Sequence, residues 1–146
     1  MSREYPLTVY GKLPLSKEFL RLRCGGGAQR ALYQWINEGH DASVARGNGR
    51  PLETDVRWRL VSFADGFSEL NVGVIRGSTD HGGLRKFPFC VYVAVDRELL
   101  PPQPGPALIA LAPLWDDLVR MEREISSIEA LDAFKAAARD ATVSFA

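Results

Sequence analysis

Between Gly77 and Pro88 the chain gathers its densest set of reactive side chains. Ser78, Asp80, His81, Arg85 and Lys86 stand within a few residues of one another, beside Gly82 and Gly83. A hydroxyl, an imidazole and a carboxylate could serve as nucleophile, base and orienter of an acyl-transfer site. The spacing argues against that chemistry, because a triad draws its members from separate elements that converge in space. The plainer reading is a connecting loop. Asp80 makes a local turn bond, the glycines allow the turn, and His81 meets solvent.

Other chemical signals are weaker. Gly25-Gly26-Gly27 precedes a helical pattern, but it lacks the GK[ST] ending of a phosphate loop and the spacing of a dinucleotide fingerprint, so it reads as a joint. His40-Asp41 reads as helix surface. Cys24 and Cys90 form no CxxC pair and have no histidine at ligand spacing, so neither a metal site nor a cofactor is expected. The two cysteines leave a disulfide open. Lys12 and Arg85 carry more interest. Each adjoins a glycine-containing corner and an apolar neighbour, Leu13 or Phe87. One reading packs their stems on apolar surface and sends their charges to solvent or to Asp80. The other places the two loops side by side as a partner-binding surface.

The chain must position these groups with one core. Its 146 residues fit a single domain that buries roughly two-thirds of its unfolded surface. Eighteen basic residues balance eighteen acidic ones, which removes the electrostatic reason to expect nucleic acid or an anionic membrane. The start Met-Ser-Arg-Glu-Tyr-Pro has no signal-like apolar run, and no segment reaches the length of a membrane span. A cytoplasmic protein with reduced thiols is expected, with no membrane insertion.

A strand is expected from Leu7 to Gly11, then a helical turn from Ser16 to Arg23. A break at Cys24–Gly27 leads to an amphipathic helix from Ala28 to about Ala45, with Leu32, Trp35, Ile36 and Gly39 on one face. Gly47 to Pro51 reads as a loop. Strands follow around Val56, Trp58 and Leu60, then Leu70, Val72 and Val74, then Phe89 to Val95. The last is apolar at every position, as a central strand covered on both sides would be. Pro101 to Pro106 reads as an extended break. A helix through Leu108, Leu111, Trp115, Leu118 and Glu122 is either kinked at Pro113 or restarted there. Ser126 and Glu129 stand at capping-box spacing for a last helix bearing Leu131, Phe134 and Ala138. Trp35, Trp58 and Trp115 read as core anchors. The order predicts an α/β protein, a three-layer α/β/α sandwich on a mostly antiparallel sheet with a three-stranded meander.

Taken together, Tyr10-Gly11-Lys12-Leu13-Pro14 with Phe19, and Ser78-x-Asp80, Gly82 or Gly83, Arg85 and Phe87-Pro88, resemble the N-terminal domain of the TagF family of bacterial type VI secretion. The resemblance spans roughly Tyr5 to Asp96. Where the family has Gly-Asp before the phenylalanine, this chain has Lys17-Glu18, and its second loop is one residue longer. The resemblance implies a single domain over residues 1–146 with a longin- or profilin-like fold. It also implies a non-enzymatic, post-translational repressor of type VI secretion that binds a forkhead-associated scaffold protein. Lys12, Asp80 and Arg85 would frame the polar part of the binding surface, with Phe19, Phe87 and Pro88 as apolar anchors. Two alternatives stay open: a longin-like scaffold for another partner, or an enzyme using the Ser78, Asp80 and His81 loop.

Overall fold

The computed structural model describes residues 2–46, 52–63, 65–83 and 85–145. Five strands form one sheet: β2 (Thr8–Gly11), β3 (Leu20–Leu22), β4 (Trp58–Phe63), β5 (Glu69–Arg76) and β6 (Phe89–Asp96). Their order is β3-β2-β6-β5-β4, and every adjacent pair is antiparallel. Two short strands, β1 (Arg3–Pro6) and β7 (Thr142–Phe145), pair as a separate ribbon.

β6 is the middle strand, as its continuous apolar run predicts. Its pleat sends Phe89, Val91, Val93 and Val95 to one face and Cys90, Tyr92 and Ala94 to the other. The first face is covered by α2 (Pro104–Ser126) and α3 (Leu131–Asp140) through Leu111, Leu114, Trp115, Leu118, Ile125 and Phe134. The second is covered by α1 (Gly27–Arg46) through Ala28, Leu32 and Ile36. Tyr92 donates its hydroxyl to the Gln29 carbonyl at 2.7 Å, and buried Asn71 donates to the Ala28 carbonyl at 2.9 Å. These bonds fix the helix against polar groups that burial would otherwise leave unmatched. The result is the expected α/β protein, with helices on both faces of an antiparallel sheet.

Several local expectations give way. The segment Ser16–Arg23 is not a helical turn: Leu20–Leu22 adds a three-residue edge strand to β2, and Ser16 Oγ accepts from the Glu18 amide. β1 and β7 join sequence ends whose short patterns carry no pairing signal. Trp35 and Trp58 are not core anchors, being 65 % and 57 % exposed. The buried stripe of α1 runs Ala28, Leu32, Ile36, a strict i, i+4 row that turns Trp35 outward. Trp58 opens β4, which among the described residues pairs only with β5 and so forms the sheet edge. Trp115 does anchor the core, and its indole donates to the Leu60 carbonyl at 3.1 Å.

α2 begins at Pro104, inside the segment read as an extended break, where proline suits a first helical turn. It runs unbroken through Pro113. That residue lies on the exposed side with Ile109, where water can take the carbonyl its ring displaces. The helix continues to Ser126, so Ser126 caps nothing: its hydroxyl donates to the Glu122 carbonyl, and α3 starts after Ala130 without a side-chain cap. Cys24 and Cys90 are free and buried, so they form no disulfide. The loop expected at Gly47–Pro51 lies outside the described residues.

Candidate functional site

The site is built where β2 leaves the sheet. Gly11 sits at φ 134°, a conformation open to glycine, and a Cβ there would lie 2.0 Å from the Pro88 carbonyl oxygen. The bare backbone lets the Lys12 amide donate to that oxygen at 3.3 Å. His81 completes the clamp: its amide donates to the Ser16 carbonyl at 2.9 Å, and its Nδ1 lies 2.9 Å from the Pro14 carbonyl oxygen. The two motif loops therefore lie side by side.

The second loop is held internally by Asp80. Its Oδ1 accepts from the Arg85 amide at 3.0 Å, its own amide donates to the Arg85 carbonyl, and its carbonyl accepts from Gly83. Thr79 bridges Lys86, and the Phe87 amide donates to the Ser78 carbonyl. This is the local turn bond read from the sequence, made by a carboxylate that the fold buries. Ser78, Asp80 and His81 do not assemble as a relay. The Ser78 hydroxyl is buried without a hydrogen-bond partner, while the His81 ring is exposed and engaged with Pro14.

Beneath the clamp lies an aromatic cluster. Buried Tyr10 stacks on Phe19 with centroids 5.8 Å apart, and it meets Phe87 edge-on at 5.6 Å and Tyr33 at 4.5 Å. Phe19 and Phe87 meet at right angles at 4.8 Å, and the His40 ring lies 4.5 Å from Phe87. Tyr10 donates its hydroxyl to Asn37 Oδ1 at 3.1 Å. Burial pushes the Tyr10 phenol up to about 12, and it pushes Tyr92 up as well. A phenol whose folded value exceeds its ordinary value of 10 adds stability that is intact below pH 10 and lost as pH rises toward about 12. Absorbance at 295 nm should therefore show Tyr10 and Tyr92 ionising late, with loss of the fold. Both ionising near pH 10 in the folded chain would contradict that packing.

Above the aromatics opens a depression of about 360 Å³, lined by Lys12, Phe19, Arg85 and Phe87 from the two loops and by Asn37, His40, Asp41 and Lys86. Four of the six residues expected at a binding surface thus converge. Asp80 lies beneath as the tie of its loop, and Pro88 lines an adjoining groove of about 530 Å³ with Trp35, Leu52 and Ile75. His40, Lys86 and Phe87 belong to both hollows. Sequence reasoning missed the wall from α1. The signal was present: Tyr33, Asn37 and Asp41 form an i, i+4, i+8 row with His40 beside it, a polar–aromatic stripe next to the buried one.

Lys12 is only 3 % exposed. Its Nζ donates to the Lys17 carbonyl at 3.2 Å and lies 4.4 Å from the Phe19 ring centroid. It does not reach Asp80 as a salt-bridge partner. Among the described residues no salt bridge involves Lys12, Arg85 or Lys86. The described residues also hold no cluster of His, Cys, Asp or Glu suited to a metal, and no helix long and apolar enough to cross a membrane.

Residues 2–140 match the family described as TagF N-terminal domain, type VI secretion system-associated. No curated protein matches. Among solved structures, the crystal structure of PA0076 from Pseudomonas aeruginosa PAO1 has a similar fold, with a TM-score of 0.60 at 20 % identity. The match covers 92 % of this chain and 61 % of that one, so this chain spans about three-fifths of that protein's length.

Proposed function

The chain belongs to the TagF N-terminal domain family of type VI secretion-associated proteins, and from that premise we propose that it is a non-enzymatic repressor of type VI secretion. It acts after translation by binding a partner, a forkhead-associated scaffold protein. One observation carries this reading. Segments distant in sequence (Lys12 and Phe19, Asn37 to Asp41, Arg85 to Phe87) converge on an open depression rimmed by cations without salt-bridge partners among the described residues. An exposed Arg beside half-buried and buried aromatic rings around a hollow is the composition of an interaction hot spot.

Secretion assays in a type VI-competent host test the proposal. Overproduction of the wild-type chain should suppress release of type VI substrates. The Arg85→Ala variant, whose backbone bonds to Asp80 survive, should accumulate equally yet suppress poorly. Equal suppression by the two chains, or none by the wild type, would sink the reading.

A further inference from the structure

We infer that the depression is a receptor for an oxyanion, a carboxylate or phosphate group borne by the partner's docking segment, with Lys12 at its floor and Arg85 and Lys86 at its rim. This deepens the proposed function and rests on it. The argument begins with Lys12. An ammonium has three donors, and here one goes to the Lys17 carbonyl while the Phe19 ring faces the charge. Taking such a cation out of water is unfavourable unless an anion or a full set of acceptors replaces the lost hydration.

Of the two other charged residues that the fold buries, Asp80 bonds within its own loop, and Glu122 is treated differently from Lys12. Glu122, fully buried, receives the guanidinium groups of both Arg57 and Arg76. Lys12 receives no carboxylate among the described residues, although it lines an open hollow. Among the described residues lining it, Asp41 is the one carboxylate, against three cations, and it pairs with none of them within salt-bridge distance. The planar fork of Arg85 suits either a carboxylate or a phosphate, and Lys12 supplies a point charge behind it. Phe19 and Phe87 give the carbon stem of the incoming residue an apolar wall.

The test is an amide NMR titration of the full chain at fixed ionic strength. The probes are capped pentapeptides carrying a central glutamate, phosphothreonine or glutamine between glycines, and inorganic phosphate alone. Saturable shifts at the amides of Lys12, Arg85, Lys86 and Phe87 are expected with the glutamate or the phosphothreonine peptide and not with glutamine. The tighter of the two identifies the group the partner carries. Arg85→Gln and Lys86→Gln, both at exposed positions, should each weaken binding about tenfold. Lys12→Met, which keeps the apolar stem, should abolish it in a chain whose melting temperature shows it folded.

Three results would overturn the inference: no probe moves these amides, inorganic phosphate moves them while neither peptide does, or the two glutamine variants bind as the wild type does. The regulatory reading fails separately. Anion binding with secretion indifferent to Arg85→Ala removes the repressor role. Secretion sensitive to Arg85→Ala without anion binding leaves the role and removes this chemistry.

Discussion

Replacing Glu122 by glutamine is expected to lower stability by about 3–5 kcal/mol, because it leaves two part-buried guanidinium groups facing a fully buried neutral amide. Glu122 is fully buried, Arg57 Nε lies 2.5 Å from its Oε2, and Arg76 Nε bonds its Oε1. The three side chains join α2 to the end of β5 and to the chain entering β4. For a domain of this size the loss corresponds to a fall in melting temperature of about 10–16 °C. A control separates charge from shape. Replacing all three residues together (Arg57→Met, Glu122→Leu, Arg76→Met) removes the unpaired charges and should lose far less than Glu122→Gln alone. A Glu122→Gln chain that melts with the wild type would show that the triad contributes little.

Gly11→Ala carries the second large effect, and it bears on the site. A methyl group would stand 2.0 Å from the Pro88 carbonyl oxygen and 2.8 Å from Phe89 Cα, at a φ of 134° that disfavours any Cβ. Neither obstacle is a flexible side chain, so β2 and β6 must part at this end. Backbone strain and overpacking together are expected to cost about 2–5 kcal/mol. The displaced corner would draw Lys12 and Phe19 away from Phe87, opening the depression. Thermal melting measures the first effect, and the ring-current shifts of Phe19 and Phe87 measure the second. Unchanged melting and unchanged aromatic shifts would contradict the close approach.

The layered architecture was legible because each layer carries a periodic signal. Phe89 to Val95 is apolar at every position, and α1 repeats at helical spacing. Elements that depend on distant pairing were not. β1 and β7 meet across nearly the whole chain, and Leu20–Leu22 is a strand only because Val9 to Gly11 lies beside it. Trp35 and Trp58 misled through residue type. Size and apolarity argue for burial, but phase on a helix and position at a sheet edge decide it. At the site, the two loops could be read from composition and a resemblance. The contribution of α1 could not be weighed until Tyr10 was seen packed between Phe19, Tyr33 and Phe87.

The same cluster explains why so few side chains are left for recognition. Tyr10 and Asp80 hold the loops from below, His81 and Gly11 clamp them together, and Arg85 and Lys86 remain exposed above. The measurement that bears most directly on the central claim is calorimetric titration of the purified chain with the forkhead-associated scaffold protein of the same bacterium. The account predicts saturable binding by the wild type, weakened about tenfold or more by Arg85→Ala in a chain of unchanged melting temperature. Binding of equal strength in the variant, or no binding by the wild type, would contradict it.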